Sequence, residues 1–110
     1  MVKNFLREIE ISEINGTNSC GDTPLYYAVL WNKPDIVKQL LLAGADVNKQ
    51  CEFGATPLNE AVSENNVEMV RILLEAGAST IIKDDGGFTA IDVCKIENNQ
   101  QIMALLNEKP

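Results

Sequence analysis

The strongest candidates for chemistry in this 110-residue chain are three cysteines and a pair of adjacent carboxylates, Asp84 and Asp85. The sequence has no histidine, so neither a Ser-His nor a Cys-His nucleophile pair can form. No glycine-rich loop leads into a Lys-Ser or Lys-Thr pair, so the sequence predicts no phosphate-binding loop. Asp84 and Asp85 belong to a turn signal, where solvation is the simpler explanation of both charges. We therefore expect no catalytic activity and no cofactor.

The cysteines are Cys20, Cys51 and Cys94, an odd number with no Cys-x-x-Cys spacing. A zinc site would have to recruit carboxylates to complete its ligand set, which is uncommon. The odd count also argues against a framework of disulfides. We expect reduced thiols and no metal site, which predicts an intracellular, cytoplasmic protein.

Composition and charge argue against two further classes of function. The formal net charge is −7 and the sequence pI is about 4.4, whereas a nucleic-acid-binding surface needs Lys and Arg to contact phosphates. No apolar run approaches the ~20 residues of a membrane span, and the N-terminal segment is too acidic for a secretion signal.

Aromatic residues make up only 5% of the chain. The core must therefore be built from Leu, Ile, Val and Ala, which suits thin layers of stacked helices.

The elements that must position these residues are encoded by an internal repeat with a period of 33 residues. The pattern Gly-x-Thr-Pro-Leu begins at Gly21 and again at Gly54, and Ala-Gly-Ala begins at Ala43 and again at Ala76. When residues 21–50 are aligned with 54–83 without gaps, 13 of the 30 positions are identical. Such a period is typical of repeat architectures, in which neighbouring units stack to bury a shared core.

Each repeat carries the start and stop signals of a pair of helices. Thr23 and Thr56 are suited to cap the first helix, because the threonine side-chain oxygen can accept a hydrogen bond from a backbone N–H of the first turn. The proline that follows each of them suits the first helical position, since it has no N–H to leave unpaired. Gly44 and Gly77 are suited to end the second helix in the left-handed conformation.

The repeated unit resembles the ankyrin repeat, whose Thr-Pro-Leu-His-x-Ala signature corresponds to residues 23–28 and 56–61. Leu40–Asn48 also matches the end of the family unit closely. The resemblance implies an all-α solenoid of stacked helix-turn-helix units with extended loop or β-turn connections, roughly three repeats plus an N-terminal capping helix. It implies a single domain over residues 1–110, divided into a capping helix and linker (1–17), two repeats (18–50 and 51–83) and a C-terminal capping repeat (84–110).

The chain departs from the family at the signature histidine, whose side chain helps to join neighbouring repeats through hydrogen bonds. Tyr26, Asn59 and Asp92 occupy that position. Asp92 lies three residues after Thr89, a spacing that predicts a reciprocal helix-capping pair. We therefore expect weaker hydrogen bonding between repeats and a somewhat lower stability.

In the ankyrin fold, loop tips and first helices line a concave face, and residues that differ between repeats usually bind there. By register, the resemblance assigns nine residues to partner binding: Asp22, Leu30, Trp31, Glu52, Phe53, Glu64, Asp85, Phe88 and Glu97. Three are large aromatic residues, five are carboxylates and none is basic. Apolar anchors within a charged rim are the usual composition of a protein interface.

Structural alternatives exist for several of these residues. Trp31 could pack back on its own helix pair, Phe53 could stiffen its loop, and Phe88 could pack on the turn at residues 84–87. Tyr26 and Tyr27 are expected to pack between repeats. Asn48 ends a segment that resembles the one hydroxylated by asparaginyl hydroxylases in some ankyrin proteins, and the alternative is a hydrogen-bonded turn residue.

The function implied is a non-catalytic protein–protein interaction module, expected to be a monomer, whose concave face binds a basic, partly apolar protein partner. Neither nucleic acid nor a membrane is expected as a partner. Two alternatives are a structural or self-associating solenoid unit, and an effector or inhibitor directed at a host. The solution mass at high and low concentration tests self-association, whereas the effector uses the same binding chemistry in another cell.

Overall fold

The structure is a computed structural model that describes Gly16 and residues 23–108, with the backbone alone described at Glu52 and Glu108. The predicted N-terminal capping helix and the candidate site residue Asp22 lie outside the described residues. The described part is helical: α1 (Pro24–Leu30), α2 (Pro34–Leu42), α3 (Pro57–Ser63), α4 (Val67–Glu75), α5 (Ala90–Glu97) and α6 (Gln100–Glu108), with a 3₁₀ turn at Glu52–Gly54.

The six helices form three antiparallel pairs that stack in two layers. Each first helix packs on the second helix of its own pair, α1 on α2, α3 on α4 and α5 on α6. The first helices α1, α3 and α5 lie side by side in one layer, and α2, α4 and α6 lie side by side in the other. This arrangement confirms the predicted all-α solenoid of stacked helix-turn-helix units.

A threonine caps the start of every first helix, as its position before the helix predicts. Thr23 Oγ1 accepts a hydrogen bond from Tyr26 N at 3.1 Å, and Thr56 Oγ1 accepts one from Asn59 N at 3.1 Å. In the third pair Thr89 Oγ1 accepts from Asp92 N at 3.2 Å, while Asp92 Oδ2 accepts from Thr89 N at 3.0 Å. These bonds to the Thr89 backbone and side chain lower the pKa of Asp92. The predicted reciprocal capping pair is confirmed.

An asparagine ends the first helix of each pair and turns the chain toward the second. Asn32, Asn65 and Asn98 have φ values of 55°, 57° and 56°, in the left-handed region. Asparagine tolerates this region better than other side-chain-bearing residues do. The second helices end at glycines instead, with φ of 103° at Gly44 and 92° at Gly77, as the sequence predicts.

The apolar core lies between the two layers and between successive pairs. Leu25, Leu58, Leu73 and Ile102 are each at least 99% buried, and all belong to one continuous cluster. Cys94 belongs to the same cluster, and burial raises the pKa of its thiol. A protonated, buried thiol is unreactive, so Cys94 has a packing role.

Amide side chains link successive repeats. Asn66 Nδ2 donates to Asn32 Oδ1 at 2.8 Å, and Asn99 Nδ2 donates to Asn65 Oδ1 at 3.2 Å. Another link runs from Gln50 Nε2 to Lys83 O, 33 residues away, at 2.8 Å. These hydrogen bonds across repeats were not predicted from the sequence.

The signature-histidine position itself differs in each repeat. The Tyr26 hydroxyl donates to Glu60 Oε1 in the next repeat at 3.1 Å, so Tyr26 bridges two repeats as expected. Asn59 is 4% exposed, and neither of its amide atoms has a hydrogen-bond partner. Asp92 caps its own helix. Weaker bonding between repeats is thus found at Asn59, the position in the central repeat.

Candidate functional site

The first-helix face is the side of α1, α3 and α5 that points away from the second helices, taken together with the loop tips at Phe53 and at residues 84–88 that precede α3 and α5. On α1 it presents Leu30, 41% exposed, and Trp31, 55% exposed. The Trp31 ring lies 5.1 Å from the Tyr27 ring, centroid to centroid, at an interplanar angle of 34°. Trp31 therefore does pack on its own helix, as the structural alternative proposed, yet more than half of its surface stays accessible.

Two glutamates, Glu60 and Glu64, occupy the same face on α3. Glu60 is half-buried and accepts the hydrogen bond from the Tyr26 hydroxyl. Burial raises the pKa of Glu60, the Tyr26 hydrogen bond lowers it, and the neighbouring Glu64 carboxylate raises it further. Glu64 itself is exposed and lines a cavity of about 240 Å³ together with Leu30 of the preceding repeat. The face is thus anionic at its centre.

The face continues on α5 with an exposed aliphatic group and a third carboxylate. Ile96 is 67% exposed and Glu97 is exposed beside it. Asn65 Nδ2 donates to Glu97 Oε1 at 3.3 Å, which holds this carboxylate against the preceding repeat.

Phe53 lies at the tip of the loop before α3 and is 76% exposed, as predicted. Its φ of 62° places a bulky residue in the left-handed region, where most side chains are strained. Asp85 N donates to Phe53 O at 2.9 Å and so joins this loop tip to the next one. At Gly54, with φ of 74°, an added Cβ would lie 2.8 Å from Asp85 N, so only glycine fits between the two loops.

Phe88 is 44% exposed and lies against the turn at residues 84–87. Its ring carbons would meet a Cβ on Gly86 at 3.2 Å. Asp84 Oδ1 accepts from both Gly86 N and Phe88 N at 2.9 Å, which fixes the turn beneath the ring. The structural alternative for Phe88 is therefore found together with partial exposure, and Asp85 remains exposed at the same tip.

The nine sequence candidates fall into three groups. The ends of the first helices carry Leu30, Trp31, Glu64 and Glu97, and the loop tips carry Phe53, Asp85 and Phe88. Asp22 lies outside the described residues, and the side chain of Glu52 is not described.

Sequence reasoning did not include Tyr27 and Glu60 among the candidates for this face. Both lie one helical turn before residues already in the set, at the i−4 positions of Trp31 and Glu64. They also differ between repeats at a shared register position. That combination of helical spacing and variation between repeats is the signal that could have identified them.

Asn48 has a structural partner. Its Oδ1 accepts a hydrogen bond from Ser79 N in the next repeat at 2.8 Å, and its backbone N–H donates to Asp46 Oδ1 at 2.9 Å. The asparagine is thus a hydrogen-bonded turn residue, as the alternative to hydroxylation proposed.

A second apolar surface lies on the opposite layer, between α2 and α4. It is a groove of about 520 Å³ lined mainly by Leu41, Leu42, Val47 and Ile72. Leu42 is 89% exposed beside it. This outer groove was not among the sequence predictions.

Within Gly16 and residues 23–108, no group of three or more His, Cys, Asp or Glu side chains could hold a metal ion. No helix in the same part of the chain combines the length and apolar character needed to cross a membrane.

The comparisons with known proteins identify the family. A profile described as ankyrin repeats, three copies, matches residues 1–51 and 31–109. The chain belongs to the ankyrin repeat family, whose domains are generally protein–protein interaction modules and typically non-enzymatic. A search of curated proteins finds no match.

Proposed function

We propose that this chain is a non-catalytic interaction module that binds a basic, partly apolar protein through its first-helix face. That face corresponds to the concave face on which ankyrin repeats usually bind. One observation carries the proposal: Trp31 and Phe53 are more than half exposed, and the matching helix ends and loop tip of the following repeats carry the exposed carboxylates Glu64, Glu97 and Asp85. A large apolar side chain that stays exposed contributes little hydrophobic free energy to folding. A partner that covers it gains the free energy of burying that surface.

Electrostatics set the sign of the partner. The nine candidates include five carboxylates and no Lys or Arg, and the formal net charge of the whole chain is −7. A basic partner is attracted over this surface, and its encounter rate falls as salt screens the field.

The module is expected to act as a monomer inside the cell, in the cytoplasm. This location rests on the expectation of reduced cysteines, and Cys94 is a buried thiol. An effector or inhibitor acting in a foreign cell would use the same face in the same way.

The test is a comparative affinity capture with three forms of the domain, wild type, W31A/F53A and L42A/I81A, each at low and at ~0.5 M salt. Leu42 and Ile81 are 89% and 75% exposed, so the control also removes two exposed apolar groups. We expect one set of proteins to bind wild type and L42A/I81A, to be lost by W31A/F53A, and to elute at high salt. Proteins lost only by L42A/I81A would place binding at Leu42 or Ile81, away from Trp31 and Phe53, and overturn the proposal.

The outer groove supports a second candidate, self-association. Leu42 stands beside a groove lined by Leu41, Val47 and Ile72, which offers an apolar surface to another copy. Sedimentation at high and low concentration tests it: a mass that doubles in wild type and not in Leu42→Ala supports self-association. A mass of one chain in both supports a monomer.

A further inference from the structure

The first-helix face changes character from one repeat to the next. Because α1, α3 and α5 lie side by side, residues 33 apart form rows across them. One row is Tyr27, Glu60 and Val93, and the row one turn further along is Trp31, Glu64 and Glu97, with Leu30 and Ile96 beside its two ends. The order along the stack is therefore aromatic, acidic, then largely aliphatic.

The central position is built to gain from a cation. Glu60 and Glu64 lie one turn apart on α3 and repel each other. The hydrogen bond that Glu60 Oε1 accepts comes from the Tyr26 hydroxyl, which is a neutral donor. A guanidinium placed there would relieve the repulsion and add charge-assisted hydrogen bonds to a half-buried carboxylate. Its planar fork suits two carboxylates better than the ammonium of lysine does.

The positions on either side are suited to apolar groups. The Tyr27–Trp31 ring pair lies on α1, and Trp31 is 55% exposed. Ile96 on α5 is 67% exposed, with half-buried Val93 one turn before it. An apolar side chain of a partner would remove water from each of these surfaces.

The distance between helices sets the spacing in the partner. Packed helices lie roughly 8–10 Å apart, and a segment in the polyproline II conformation advances about 3.1 Å per residue with three residues per turn. Three residues of such an extended segment therefore span about one repeat, and side chains three positions apart point to the same side.

Building on the function proposed above, we infer that the first-helix face binds an extended segment of a partner protein with an arginine at its centre and an apolar residue three positions to each side. The arginine lies between Glu60 and Glu64, one apolar side chain packs on Tyr27 and Trp31, and the other packs on Ile96. The pattern is the same in either chain direction, so the segment is defined by spacing alone.

Two synthetic peptides of one composition test the spacing, and a third tests the need for the arginine. The first is acetyl-Leu-Gly-Ser-Arg-Ser-Gly-Leu-amide, the second is acetyl-Leu-Leu-Gly-Ser-Ser-Gly-Arg-amide, and a third replaces the arginine of the first with glutamine. Trp31 is the only tryptophan of the chain, so its emission reports binding directly when the peptides contain none. We expect the first peptide to bind roughly tenfold more tightly than either of the others.

Matched variants test the assignment of the arginine. E60Q/E64Q removes two negative charges from the face, and Asp35→Asn with Glu68→Gln removes two exposed charges in register on the second helices. We expect E60Q/E64Q to lose about tenfold in affinity for the first peptide and the control to lose almost none. Equal losses of affinity in the two variants would show that the net charge of the domain explains the effect, and would overturn the assignment.

The outcomes separate this inference from the proposed function. Equal binding of the first two peptides, or no binding of any peptide up to about 1 mM, overturns the three-residue spacing. Neither result changes the comparative capture, which decides independently whether the first-helix face binds a protein.

Discussion

The interior between the repeats and the first-helix face follow the same 33-residue period. They differ in burial and in how far the residue type is kept from one repeat to the next. Positions 28, 61 and 94 hold Ala, Ala and Cys, and all three are about 1% exposed. Positions 31, 64 and 97 hold Trp, Glu and Glu, and all three are exposed. Residues that recur in type are those on which stacking depends, whereas residues that change at an exposed position are available for recognition.

The largest expected contrast is between a buried and an exposed leucine. Leu73 is fully buried in the core, so Leu73→Ala should lower the free energy of unfolding by about 2–5 kcal/mol. Leu42 is 89% exposed, so Leu42→Ala should change it by less than about 0.5 kcal/mol. Urea denaturation followed by far-UV circular dichroism measures both. Similar losses in the two variants would show that the distinction between interior and surface is wrong.

Two asparagines should respond oppositely to one substitution. Asn59 is buried without a partner for either amide atom, so Asn59→Leu should stabilise the fold by about 1 kcal/mol, since a desolvated amide is replaced by an apolar group of similar shape. Asn66 caps α4 and donates to Asn32, so Asn66→Leu should cost about 1–2 kcal/mol. Thermal and urea unfolding of the pair measure the signs. Destabilisation by both would mean that the Asn59 amide is satisfied in the folded protein.

Phe53 places an aromatic side chain on a backbone conformation that glycine adopts more easily. Phe53→Gly should therefore keep or raise the free energy of unfolding, by up to about 1 kcal/mol. The same variant should bind the captured partner less well, because the exposed ring is gone. A clear loss of stability in the unfolding experiment would instead assign Phe53 to the structure of its loop.

Glu60 should show the smallest effect and a dependence on pH. Its pKa is raised in the folded state, so folding favours the protonated carboxyl. This contribution to the free energy of unfolding is fully present below the unfolded pKa and is lost as the pH rises through the folded pKa. Glu60→Gln is neutral at every pH and should be more stable than wild type at pH 7 by a few tenths of a kcal/mol. Urea midpoints should converge as the pH falls to about 4. A Gln variant that is less stable at pH 7 would contradict this.

Local chemistry explains why much of the fold could be predicted from the sequence. Thr23 and Thr56, each followed by proline, determine where first helices start, because a side-chain oxygen and a missing N–H act within one turn. The exposure of Phe53 and Trp31 followed from positions that folding leaves open.

Contacts between repeats could not be predicted in the same way. The bond from Tyr26 to Glu60 depends on where two side chains meet across stacked helices, and period alone does not specify that. Nothing local indicates that Asn32 and Asn66, which lie 34 residues apart, form a hydrogen bond. The isolated amide of Asn59 likewise depends on what packs around it.

The most direct test of the central claim is the unfolding free energy of W31A/F53A, measured by urea denaturation with circular dichroism. If the first-helix face is free for a partner, removing both rings should cost no more than about 1–1.5 kcal/mol, chiefly the contact of Trp31 with Tyr27. A loss of about 3 kcal/mol or more would be the cost of removing buried aromatic groups. That result would make both residues part of the core and contradict the assignment of this face to binding.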